Sequence, residues 1–131
     1  MARLLVVEDD ESVRQLASRA LQREGHRVDV ACDGEEGLAR IVQAGGDYDL
    51  VVSDIRMPAM DGIEMSRQAA TRFPGIRIML VTGYADQRER AAELDGVVKD
   101  VLLKPFTLAS LRDVVARNLA RQGLIADRPR D

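Results

Sequence analysis

A doubly wound parallel α/β sheet with strand order 2-1-3-4-5 is the fold that the sequence predicts, on three observations. Short apolar runs bounded by turn residues alternate with amphipathic segments along the whole chain. Three of those runs, LLVVE at 4–8, LVVSD at 50–54 and IRIMLVT at 76–82, are apolar on consecutive positions, as central parallel strands covered on both faces require. Helix-start signals stand where the crossovers must begin. Right-handed crossovers then leave one open sheet, and in such sheets sites gather at the carboxyl ends of the strands.

The elements follow in order. After LLVVE, Ser12 with Gln15 fits a capping box, and Val13, Leu16, Ala17, Ala20 and Leu21 form the apolar stripe of a first helix. RVDVA at 27–31 is the second strand, and Asp33 with Glu36 opens the second helix. LVVSD is the third strand, followed by a Met-Pro loop and by Asp61 with Glu64 at the start of the third helix. IRIMLVT is the fourth strand, and Asp86 with Glu89 opens a short, charged fourth helix in which only Ala91, Ala92 and Leu94 can be buried. That helix is expected to be the least firmly packed. VLLK at 101–104 is the fifth strand, and Leu108, Leu111, Val115 and Leu119 mark the packing stripe of the last helix. Residues 1–121 are expected to form one domain, with 122–131 as a flexible tail.

Composition excludes several function classes. A net charge of −3, from 19 basic and 22 acidic residues, offers no electrostatic attraction to nucleic acid or to an anionic membrane. Four aromatics and no Trp leave little on which single-stranded bases could stack. No run of about 18 apolar residues is present, and MARLLVVEDD turns acidic too early for a signal peptide, so a cytoplasmic protein is expected. The single Cys32 agrees with that compartment and reads as a small, buried or half-buried residue near a strand end. His26, the only histidine, reads as an ordinary turn residue, so zinc chemistry is not expected.

The informative residues are those at the strand ends. Glu8, Asp9 and Asp10 follow the first strand, Asp54 closes the third, Thr82 the fourth and Lys104 the fifth. Each alone has an ordinary structural explanation, as a cap, a strand-end hydroxyl or a solvated charge. Together they put several carboxylates at one place. Like charges about 4 Å apart repel by roughly 4 kcal/mol at an effective dielectric near 20, so the acids must protonate, spread or bind a cation. Oxygen-only ligands favour a hard ion, and Mg²⁺ is the expected cofactor. A hydroxyl, an ammonium and a metal around one open acid are the parts needed to move a phosphoryl group.

The segments LLVVEDDE, VVSDIRMPAMDG, LVTGYAD and LLKPF, in that order over residues 3 to about 121, resemble the CheY-like receiver domain of two-component response regulators. The resemblance implies a flavodoxin-like fold and a set of roles. Asp54 would be the phosphoryl acceptor and a metal ligand, Asp9 a direct Mg²⁺ ligand, Glu8 an acid acting on the metal through water, and the backbone carbonyl of Arg56 a further ligand. Thr82 and Lys104 would bind phosphoryl oxygens, and the Lys104–Pro105 peptide would be cis. One departure stands out: many receivers carry a Tyr or Phe three residues before the lysine, where this chain has Val101. Tyr84 is the nearest aromatic to Thr82, and Arg56 and Tyr84 flank the acceptor as expected modulators of phosphate lifetime.

The resemblance further implies a stand-alone phosphorylation switch. A histidine kinase or histidine phosphotransfer protein would be the donor. The surface of the fourth helix, fifth strand and last helix would bind a protein effector, with the chain a monomer or a phosphorylation-dependent dimer. The stretch TGYADQRERAAELDGVVKDVLLKPF also resembles stand-alone alphaproteobacterial receivers that regulate delivery of cell-cycle proteins to an ATP-dependent protease. Three other readings stay open: the receiver part of a longer transcription regulator, a binding module with a vestigial acid site, and an aspartate-nucleophile, metal-dependent phosphatase. The last would resemble haloacid-dehalogenase-like enzymes, which carry a second Asp where this chain has Arg56.

Overall fold

The computed structural model of the chain describes residues 2–83 and 96–121. They form β1 (Arg3–Val7), α1 (Glu11–Arg23), β2 (Arg27–Ala31), α2 (Gly34–Gln43), β3 (Leu50–Asp54), α3 (Gly62–Arg72), β4 (Ile78–Thr82), β5 (Val98–Leu103) and α4 (Leu108–Arg121). The helix expected from Asp86 and Glu89, with Ala91, Ala92 and Leu94, lies outside the described residues, as do Tyr84 and the expected tail at 122–131.

All strand pairs are parallel, and the order is β2-β1-β3-β4-β5. Because successive side chains of a strand point to opposite faces, β1 divides its apolar residues between two cores. Leu5 and Val7 pack with Ile41 of α2 and with Ile63, Met65 and Ala69 of α3. Leu4 and Val6 pack with Ala17 and Leu21 of α1 and with Leu111, Val115 and Leu119 of α4. β3 and β4 are buried along their whole length, which is why they read as continuous apolar runs.

Several expectations are corrected. α1 is capped by Asp10, whose Oδ1 accepts from the Val13 N–H at 3.1 Å, and Ser12 lies inside the helix. Either residue satisfies a capping rule, and the earlier one wins because helical dihedrals already start at Glu11. The caps at Asp33 and Asp61 form as expected, accepting from the Glu36 and Glu64 N–H groups, each at 2.8 Å. In the second helix the return bond is box-like, but Glu36 accepts from the N–H of Cys32 rather than that of Asp33. β4 starts at Ile78 rather than Ile76, since the Ile76 N–H is taken by the Phe73 carbonyl in the preceding turn. β5 starts at Val98 rather than Val101. As an edge strand it is half-buried throughout, so its polar VKD start hid it from a search for apolar runs.

Leu16 and Leu108, expected on packing stripes, are 52% and 39% exposed. With Val13, Ala17, Pro105, Phe106 and the stem of Lys104 they line an apolar groove of about 470 Å³ between α1 and α4. Cys32, expected to be at least half-buried, is exposed one residue past β2. Hydrogen bonding to Glu36 is the main reason its thiol pKa is raised, which makes it less nucleophilic. His26 is half-buried, and its Nδ1 accepts from the Ala2 N–H at 3.2 Å. No described helix is long and apolar enough to cross a membrane.

Candidate functional site

The site begins with where β1 and β3 stop. The two strands are adjacent, and Val7 lies opposite Ser53, so the next residues, Glu8 and Asp54, emerge side by side at the carboxyl edge. Both are buried, at 5% and 8% exposure, whereas Asp9 is exposed. One carboxylate oxygen from each of Glu8, Asp9 and Asp54 lies within 4.8 Å of the other two.

β5 supplies the counter-charge. Lys104 is placed by its own N–H, which continues the ladder by donating to the Thr82 carbonyl at 2.8 Å. Its Nζ donates to Asp54 Oδ2 at 3.2 Å and stands 3.5 Å from Glu8 Oε1. The Lys104–Pro105 peptide is cis, in agreement with the expectation. Thr82, at the end of β4, is buried, and Asp54, Arg56, Thr82, Gly83 and Lys104 line an open pocket of about 370 Å³. Arg56 is exposed at its rim. Val101 is not in that lining; it packs against the core formed by β1, α2 and α3.

Electrostatics follow from three acids sharing one ammonium. Burial pushes Glu8 up to about 7, and the charge of Asp54 adds to it. Burial also raises Asp54, against the opposing pull of Lys104 and with help from Asp9. Burial alone would lower Lys104, but Asp54 and Glu8 together outweigh it, so the ammonium stays charged. A close acid cluster in which burial raises Glu8 and Asp54, and which among the described residues shares the Lys104 ammonium, has the oxygen donors and the negative charge that a hard divalent cation takes.

The backbone beneath Asp54 is held as firmly as its side chain. Ile55 N–H donates both to Val81 O and to Asp54 Oδ1, each at 3.0 Å, while Ser53 Oγ donates to Asp54 O at 2.8 Å. The loop then returns, and Gly62 N–H donates to Ile55 O at 2.8 Å. A Cβ at Gly62 would stand 2.2 Å from the Asp54 carbonyl oxygen, so only glycine allows this close return. Sequence reasoning quoted this glycine within MPAMDG but assigned it no role; its signal was a helix-opening Asp followed at once by Gly. In the same loop, Met60 N–H donates to Pro58 O at 2.8 Å across Ala59, which has a φ of 67°.

Residues 4–116 match the response regulator receiver domain family. The chain belongs to that family. This receiver is 39% identical over 127 residues to the transcriptional regulatory protein TcrA of Mycobacterium tuberculosis, covering 97% of this chain and 49% of TcrA. It is 39% identical over 122 residues to the sensor kinase CckA of Brucella abortus, covering 92% of this chain and 13% of the kinase. It thus spans about half or less of these curated relatives. Among solved structures, the chemotaxis response regulator CheY4 of Vibrio cholerae superposes with a TM-score of 0.82 at 30% identity, covering 91% of this receiver and 99% of CheY4. Receiver domains bind Mg²⁺ at an acidic pocket, and the Glu8, Asp9 and Asp54 group fits that use.

Proposed function

We propose that this receiver is a phosphorylation switch in which Asp54 accepts a phosphoryl group from a phosphohistidine. The observation that carries it is the buried Asp54 carboxylate lining an open pocket, bonded to Lys104 and flanked by Glu8 and Asp9. In the transfer, an Asp54 oxygen forms the new bond to phosphorus as the phosphorus–nitrogen bond to the donor imidazole breaks, its electron pair staying on that nitrogen. Lys104 Nζ would move from the free carboxylate to a phosphoryl oxygen, and the Thr82 hydroxyl would donate to another. Mg²⁺, held by Asp9, Asp54, the Arg56 carbonyl and Glu8 through water, would neutralise charge on the transferring group. Receiving and losing its own phosphate is then all the chemistry of the domain; turnover of free substrates is not part of it.

A histidine kinase or histidine phosphotransfer protein is the proposed donor. The proposed effector surface comprises the segment around residues 86–96, β5 and α4. Val101 lies in β5 and packs inward, so coupling would run through Thr82 and the Lys104–Pro105 turn rather than an aromatic at that position. Arg56 at the rim, together with Tyr84, is proposed to set phosphate lifetime. A second reading is favoured by TcrA, of which this chain covers 49%: the same switch would then serve as the receiver part of a longer transcription regulator. The resemblance of residues 82–106 to receivers that act on an ATP-dependent protease is the only support for that pathway.

The test is incubation of wild type and Asp54→Ala with acetyl phosphate or phosphoramidate and Mg²⁺, followed by intact mass. One added phosphate in wild type alone, lost when Mg²⁺ is chelated, is expected. No addition to wild type from these donors or from a phosphorylated histidine kinase would leave the domain a constitutive binding module.

A further inference from the structure

One cation beside the acidic loop has no part in the roles above. Arg14, early in α1, is half-buried, and its Nη1 donates to the backbone carbonyl of Glu8 at 2.8 Å. We propose that Arg14 is a positioning residue for the divalent cation: by holding the Glu8 carbonyl it sets where the Asp9 carboxylate stands. This rests on the reading of Glu8, Asp9 and Asp54 as the metal-binding acids.

The peptide joining Glu8 to Asp9 is planar, so fixing its carbonyl fixes the whole unit from which Asp9 springs. Glu8 and Asp54 are held by burial, but Asp9 is exposed and packing does little for it. Its position therefore depends on the two peptides either side. On the far side, Asp10 N–H donates to Glu8 Oε2 at 3.1 Å, and Asp10 caps α1. On the near side stands Arg14, whose own N–H donates to Asp10 O at 2.9 Å in the first turn of α1. The loop is thus closed into a ring through the first turn of α1, and the Arg14 guanidinium is its only side-chain link to the Glu8 carbonyl among the described bonds.

Charge and position make opposite predictions here, which is what allows a test. A guanidinium near carboxylates repels a dication, so if charge were the whole effect its removal would tighten Mg²⁺ binding. If position dominates, removal weakens it, as loss of groups that orient metal ligands commonly does by tenfold or more. Arg14→Met keeps length and helix propensity without charge or donors; Arg14→Lys keeps charge with a shorter-reaching donor.

The experiment is calorimetric titration of wild type, Arg14→Met, Arg14→Lys and Asp9→Asn with Mg²⁺ alone, well below their unfolding temperatures and with folding checked by circular dichroism. The expected result is an affinity about tenfold weaker in Arg14→Met, an intermediate loss in Arg14→Lys, and loss of binding in Asp9→Asn. Unchanged or tighter binding in Arg14→Met, with wild type binding through Asp9, overturns the positioning role alone. No binding by wild type, or undiminished binding by Asp9→Asn, overturns the metal reading and this inference with it.

Discussion

The two ends of the sheet use the same kinds of residue to opposite effect. Toward the amino end, each charge near Arg3 has a partner: Arg3 N–H donates to Asp49 Oδ2 at 2.7 Å, and Tyr48 Oη donates to Asp29 Oδ2 at 2.7 Å. The Arg3 guanidinium lies 3.7 Å from Asp29 and 3.8 Å from Asp47, with its carbon 4.8 Å from the centre of the Tyr48 ring. At the carboxyl end, Glu8, Asp9 and Asp54 share Lys104, and burial raises the two enclosed acids. The first arrangement ties β1, β2 and the start of β3 together. The second encloses acids whose proton affinity burial has raised beside an open pocket, the pattern expected of a site rather than of scaffolding.

The largest effect should come from Gly62 at the carboxyl end, set against Gly75 at the amino end. Gly62→Ala forces a methyl onto the Asp54 carbonyl and should cost about 3 kcal/mol in urea unfolding, whereas Gly75→Ala meets open space and should stay within about 0.5 kcal/mol. Equal costs would mean that the carboxyl end is not tightly built. The next effect is on pH dependence. Glu8 titrates near 4.5 unfolded and about 7 folded, so between those values the folded chain binds the extra proton and stability falls as pH rises. Without divalent ions, the difference between wild type and Glu8→Gln should change by about 1–3 kcal/mol from pH 4.5 to 7, with wild type losing stability relative to the variant. Taking the difference removes the opposite trend from His26, whose pKa burial lowers. At the amino end, Tyr48→Phe leaves Asp29 without its phenol donor and should cost about 1 kcal/mol in thermal unfolding. Smallest, Ala59→Gly relieves a left-handed residue in the loop below Asp54 and should gain less than about 1 kcal/mol, since the added unfolded-state freedom offsets much of the relief.

The sequence made the central strands and the gathering of Glu8, Asp9, Asp54, Thr82 and Lys104 at one edge legible. Continuous apolar runs ending in polar residues are a direct consequence of parallel strands covered on both faces. It was silent where the deciding contact is long-range. Gly62 matters because of the carbonyl of a residue eight positions earlier, and Arg14 because of a backbone oxygen that any residue at position 8 would offer. Leu16 and Leu108 fit helical stripes, yet whether a stripe position is covered depends on how far α4 stands from α1. β5 began earlier than expected because an edge strand needs apolar residues on fewer positions.

The most direct test of the contrast between the two ends replaces one acid at each by its neutral isostere. Unfolding free energies of wild type, Asp54→Asn and Asp29→Asn would be measured at pH 7 without divalent ions. Asp54→Asn should gain about 1–2 kcal/mol by removing a buried charge from a cluster in which three acids share Lys104, and Asp29→Asn should lose about 0.5–1 kcal/mol with its ion pair. A loss in Asp54→Asn as large as that in Asp29→Asn would contradict the account, because the acids of the carboxyl edge would then be as well satisfied as those that hold the fold.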